Sequence, residues 1–69
     1  KFDDFSKLIY LIALDLSQNN ITKINSNTFE NSKLLRYLNL SFNNLEFLEK
    51  NLTNPLMNLN FFDVSHNKI

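Results

Sequence analysis

The sequence predicts a solenoid of short parallel strands, and three observations predict it. Asn19, Asn43 and Asn67 are evenly spaced along the chain, one repeat period apart. Each closes the same frame: Leu11-x-x-Leu14-x-Leu16-x-x-Asn19-x-Ile21, then Leu35-x-x-Leu38-x-Leu40-x-x-Asn43-x-Leu45, then Leu59-x-x-Phe62-x-Val64-x-x-Asn67-x-Ile69. Within each frame apolar and polar residues alternate, as they do along a strand with one buried face. Self-similarity at a fixed period of this length marks a chain built from stacked repeats.

Numbering slots from the first leucine of each frame, slots one, four, six and eleven are aliphatic except for Phe62, slot seven is always Ser and slot nine always Asn. Alternation turns Leu14 and Leu16, Leu38 and Leu40, and Phe62 and Val64 inward, with their neighbours toward solvent. Consecutive strands run the same way, which demands a return of about twenty residues and produces a parallel sheet. That return carries slots eleven, fourteen, nineteen and twenty-two. One repeat alone cannot offset its backbone entropy with its few apolar side chains. Contacts with neighbouring repeats supply the rest, so about three repeats are the usual minimum.

The frame resembles the leucine-rich repeat family, specifically the 24-residue class of extracellular proteins such as Toll, Toll-like receptors and Slit. Phe5-x-x-Leu8-x-x-Leu11 and Phe29-x-x-Ser32-x-x-Leu35 look like the phenylalanine and leucine slots of that class. The third copy departs from it, with Thr53 in the phenylalanine slot, Leu52 beside it, and Leu56 and Leu59 in place, which predicts a break in the aromatic column. The resemblance implies an α/β fold: a right-handed horseshoe segment with strands on the concave face and irregular, 3-10 or short helical returns on the convex face. The chain then reads as one array fragment, with a back half-repeat (1–10), repeats at 11–34 and 35–58, and a front half-repeat (59–69). The capping segments usual in the family are not visible, which suggests an excerpt from a longer protein. Its two ends are expected to expose Phe5, Leu11 and Leu14 on one side and Phe62, Val64 and Ile69 on the other, favouring self-association.

Asn19, Asn43 and Asn67 have a structural explanation. A side-chain amide has two donors and an acceptor, so an inward Asn just past a strand can bond the loop backbone of its own and the adjacent turn. Ser17, Ser41 and Ser65 are expected to help there through hydroxyl-to-backbone bonds. The chain has no glycine, and its many asparagines are expected to supply the left-handed residues that tight turns need.

Composition limits the functional classes. Seven basic and seven acidic residues leave no net charge, and no basic cluster suggests a nucleic-acid partner. No stretch of the length a membrane span needs, about 18 residues or more, is apolar enough to be one, so any membrane attachment implies a span outside this segment. The absence of cysteine fits a central stretch from either redox compartment. Asp63, Ser65 and His66 are residue types of a nucleophilic triad, but serines at the same slot in other repeats lack a histidine, and repetition explains them better. One His with one carboxylate falls short of a metal ligand set, and no cofactor is implied. His66 is most simply a solvent-facing residue, with use as a pH-sensitive contact left open.

Function in such a coil normally resides on the solvent face of the strands. The register places Ile12, Arg36 and Asn60 at slot two, Ala13, Tyr37 and Phe61 at slot three, Asp15, Asn39 and Asp63 at slot five, and Gln18, Phe42 and His66 at slot eight. Equivalent slots lie about 4.8 Å apart, which sets Tyr37 beside Phe61 and Phe42 beside His66, flanked by Ile12 and Arg36. Exposed aromatic residues with arginine are the composition of a binding hot spot; equally, such aromatics can only shield the strands by packing on each other. The candidate binding residues are therefore Ile12, Asp15, Arg36, Tyr37, Phe42, Phe61, Asp63 and His66. Three sequons occur, at Asn20, Asn39 and Asn51. Asn51, on the return, is the best acceptor in a secreted protein, whereas a glycan on Asn39 conflicts with binding at the strands. Two classes stay open: an extracellular or cell-surface recognition module for a protein or microbial ligand, and a cytoplasmic scaffold or inhibitor using the same face. A spacer that positions other domains is the weaker third.

Overall fold

In the computed structural model, described here for residues 12–69, the chain forms one parallel sheet. Its strands are β1 (Ala13–Asp15), β2 (Tyr37–Asn39) and β3 (Phe61–Asp63), side by side in chain order. Register follows the repeat period: Leu14 pairs with Leu38, and Leu38 with Phe62. Hydrogen bonds between repeats run past the strand ends, from Leu16 N to Asn39 O (2.8 Å), Gln18 N to Ser41 O (3.1 Å) and Asn44 N to Ile21 O (2.9 Å). The next repeat boundary repeats them: Leu40 N to Asp63 O (2.7 Å), Phe42 N to Ser65 O (3.1 Å) and Lys68 N to Leu45 O (2.8 Å).

Among the described residues there is no helix, so of the returns expected for this fold the irregular form is the one present. Each return is instead a string of turns closed by i to i+3 bonds. Thr28, Glu30, Ser32 and Leu35 donate to Asn25, Asn27, Phe29 and Ser32; Leu52, Asn54, Leu56 and Leu59 donate to Glu49, Asn51, Thr53 and Leu56. The second set is the first moved along by one repeat. Asn25, Ser26, Asn27 and Asn31, and Asn51, Asn54, Pro55 and Asn58, explain this choice, because short polar side chains compete for the backbone and proline lacks a donor.

The core lies between sheet and returns. Phe29, Leu38, Leu40 and Leu45 are wholly enclosed, with Leu35, Leu52 and Leu56 nearly so. In the third copy of the phenylalanine slot Thr53 is half-buried and the preceding Leu52 takes the core position, so the inward residue moves by one place. Leu38 on the central strand is 0% exposed, whereas its partner Phe62 on the edge strand β3 is 36% exposed despite occupying the same inward slot. Ile69 is also exposed, Leu14 and Val64 are half-buried, and Phe5 and Leu11 lie outside the described residues.

Candidate functional site

The strand face is built column by column. At slot three the Tyr37 and Phe61 rings are stacked, with centroids 4.5 Å apart and planes 7° from parallel. At slot eight Phe42 and His66 stack likewise, at 4.2 Å and 8°. Both spacings match the distance between neighbouring strands, about 4.8 Å; registered pairing alone sets ring over ring. Ile12, Arg36, Phe42, Phe61 and His66 are exposed and Tyr37 is half-buried. Stacking covers one face of each ring and leaves the edges to solvent.

Slot eight has a backbone peculiarity. Gln18, Phe42 and His66 all have φ of 57°, in the left-handed region, as does Asn20 at 56°. Asparagine thus supplies only one of these positions, contrary to expectation. A side chain other than glycine costs roughly 1–2 kcal/mol there, and at Gln18 and Phe42 an amide bond to the following repeat holds the residue in place. The left-handed residue turns the chain out of the strand and projects its side chain onto the solvent face.

Slot five is where the expectation was incomplete. Asp15, Asn39 and Asp63 face solvent, yet each Oδ1 accepts the backbone N–H two residues on, from Ser17 (2.9 Å), Ser41 (3.0 Å) and Ser65 (2.8 Å). The serine hydroxyls point to the same place: Ser41 Oγ donates to Asn39 Oδ1 at 2.6 Å, and the Ser17 and Ser65 hydroxyls bond the Asp15 and Asp63 carboxylates. This replaces the expected hydroxyl-to-backbone bonds, because a carboxylate or amide oxygen held two residues upstream is the nearer acceptor. The signal was present in Asp15-Leu16-Ser17, Asn39-Leu40-Ser41 and Asp63-Val64-Ser65, an Asx-turn pattern in every copy. The serine hydroxyl and then its N–H hold both aspartate carboxyls below the usual value, with the His66 charge a last, smaller influence on Asp63. Ser65 and Asp63 are engaged with each other, and the His66 ring lies apart on Phe42.

The slot-nine asparagines turn inward behind this face. Asn43 Oδ1 accepts from the N–H groups of Asn19 and Ile21, both at 2.9 Å, while Nδ2 donates to Leu16 O and Leu40 O (3.0 Å each) and Ser41 O (3.2 Å). Asn67 accepts from Leu45 N (2.9 Å) and donates to Leu40 O, Val64 O and Ser65 O at 3.0, 2.9 and 3.2 Å. Asn19 donates to Ser17 O at 2.9 Å. No buried side-chain nitrogen or oxygen among the described residues lacks a partner.

With the frame, the register and the asparagine column in place, the decisive comparison is with a leucine-rich repeat family model, which matches residues 9–69. The chain belongs to the leucine-rich repeat family. Tsukushi of Gallus gallus is 44% identical over 61 residues, covering 86% of this chain and 16% of that protein. Transforming growth factor beta activator LRRC33 of Danio rerio is 38% identical over 69 residues, covering 97% of this chain and 10% of that protein. The chain therefore spans a small part of the relatives it matches.

In this leucine-rich repeat segment the three sequons differ in setting. Asn51 is exposed on a return, its Oδ1 accepting from Asn54 Nδ2 (3.1 Å) and its own Nδ2 unengaged among the described residues. Asn39 is half-buried in β2, its Oδ1 committed to Ser41 and its Nδ2 3.4 Å from the Tyr37 hydroxyl. Asn20 is exposed and bonded to Asn44 at 3.5 Å. Leu34, Phe47 and Met57 on the returns are exposed apolar residues that sequence reasoning did not single out; no repeating polar partner marks them in the sequence.

Proposed function

We propose that this chain is a non-catalytic recognition segment of an extracellular or cell-surface leucine-rich repeat protein, whose concave strand face contacts a protein ligand. The observation that carries the reading is the pair of stacked, solvent-facing ring columns, Tyr37–Phe61 and Phe42–His66. Rings already ordered by stacking lose little rotamer freedom on binding, and their edges offer apolar area beside Arg36. A relative named as an activator of a transforming growth factor supports a protein as the ligand class. N-glycosylation at the exposed Asn51, away from the strands, belongs to the same reading.

The test compares wild type, the double variant Tyr37→Ser/Phe61→Ser and the return variant Met57→Ser, each secreted from animal cells and screened against an array of extracellular proteins. Ligands of the wild type should bind the double variant about tenfold more weakly or worse, as for loss of a hot spot, and bind Met57→Ser as wild type. Mass spectrometry of the same samples should find a glycan on Asn51. Equal binding by the double variant overturns the face, and an unmodified Asn51 counts against the extracellular setting.

A further inference from the structure

We infer that the strand face contains a notch for an arginine side chain of the protein partner, above Ala13 and between the Tyr37 ring and the Asp15 carboxylate. The inference rests on the recognition reading above and deepens it. Slot three forms a column, Ala13 paired with Tyr37 and Tyr37 with Phe61. Because the Tyr37 and Phe61 rings stack within 7° of parallel, their faces look along the row of strands. One face of Tyr37 is covered by Phe61; the other looks toward β1, where the paired residue carries only a methyl group. Ile12 and Ala13 are both exposed there. A planar group seated over Ala13 therefore extends the column by one layer, at a strand spacing of about 4.8 Å that matches ring stacking.

Charge selects the guest. Asp15 lies two residues along the same strand face, about 6.6 Å away, and is exposed. Slot five needs an oxygen acceptor for its turn but no charge: Asn39 accepts the Ser41 N–H at 3.0 Å just as Asp15 accepts that of Ser17 at 2.9 Å. The negative charge at Asp15 is thus surplus to the fold. A carboxylate has about four lone-pair sites, and Ser17 takes two of them at most, leaving acceptors for a second partner. A guanidinium satisfies both walls, stacking as a plane on the tyrosine and forking onto the carboxylate, where an ammonium does neither as well. Arg36, exposed at slot two and next to Tyr37 in the chain, supplies the opposite sign close by. A partner segment with an arginine near Asp15 and an acidic residue near Arg36 complements both.

The test titrates the isotopically labelled 69-residue chain with N-acetyl-arginine methylamide, and with the lysine and citrulline analogues, following backbone amide shifts. Citrulline keeps the plane and removes the charge. Saturable shifts are expected at Ala13, Asp15 and Tyr37, with arginine binding about threefold more tightly than either analogue. Ala13→Phe should fill the notch and remove the response, in a strand position where an aromatic residue is well accepted. Asp15→Asn, which copies the arrangement at Asn39, should weaken binding about threefold while leaving the turn intact. Unchanged binding in either variant, an equal response to citrulline or lysine, or no saturable response overturns the notch. In the ligand screen, a partner lost on Tyr37→Ser/Phe61→Ser but kept by Ala13→Phe leaves the recognition face standing and removes the notch; one kept by both removes the face itself.

Discussion

Asn19 and Asn43 occupy the same slot of successive repeats but carry different loads. Asn43 is 6% exposed and makes five hydrogen bonds to backbone groups of two turns, whereas Asn19 is exposed and its side chain makes one among the described residues. Asn43→Leu leaves the Asn19 and Ile21 donors and the Leu16 carbonyl unpaired, while Leu40 O keeps Asn67 Nδ2 and Ser41 O keeps the Gln18 amide. It should destabilise the chain by about 3 kcal/mol, the upper end of the range for unpaired buried groups, and Asn19→Leu by about 1 kcal/mol. Thermal or urea unfolding checks the pair; equal midpoints for the two variants would show that the central asparagine is not the hub its geometry makes it. The asparagine column was legible in the sequence because an invariant inward amide has few other uses. The bond from slot five to slot seven was not, since alternation assigns Asp15, Asn39 and Asp63 to solvent and says nothing about an oxygen that folds back on its own backbone.

Turns and strands differ in how plainly the sequence announces them. A strand declares itself through an alternation of period two that recurs in every repeat, which is why Ala13–Asp15, Tyr37–Asn39 and Phe61–Asp63 fall where the frame places them. A return declares only its inward residues, and even these move, as Leu52 does when Thr53 replaces the phenylalanine. The left-handed turn at slot eight escaped notice because Gln18, Phe42 and His66 have no chemistry in common; geometry imposed from neighbouring repeats overrides their preference. The cost of that override is measurable. Gln18 has no ring stack, so Gln18→Gly should relieve roughly 1–2 kcal/mol of left-handed strain against an entropic loss of roughly 0.5–1 kcal/mol, a net gain centred on about 0.75 kcal/mol and at most about 1.5 kcal/mol. Phe42→Gly gains the same relief but forfeits the His66 stack, worth about 0.5–1.5 kcal/mol, and should come out no more stable than wild type. The gap between the two, read from urea midpoints, measures the stack. Identical gains would mean that the rings merely lie together, and would weaken the case for a preordered binding column.

Across the molecule, stability is passed between neighbours rather than held in one central core. Leu38, Leu40 and Leu45 lie in the repeat flanked on both sides and are wholly enclosed, whereas their counterparts Phe62, Val64 and Ile69 range from half-buried to exposed. The difference comes from position, because the slots are equivalent in chemistry; a side chain faces the interior by virtue of its own repeat but is covered by the next. In such a linear array each repeat adds its own free energy and one coupling to each neighbour, so opening should begin at an edge. Native-state hydrogen exchange tests this directly. The Leu16 and Leu40 amides bond to Asn39 O and Asp63 O of the following repeat, and opening β3 frees Leu40 but not Leu16. Leu40 exchange should therefore report loss of the last repeat, while the amides of Tyr37 and Arg36, both bonded to Ile12 O, exchange only when the first interface parts. The first opening should have the lower free energy, because Phe62 and Ile69 contribute less buried apolar surface to it. Uniform protection across Arg36, Tyr37 and Leu40 would mean one cooperative unit, and nearest-neighbour coupling would then be too strong for the proposed binding face to be adjusted one repeat at a time.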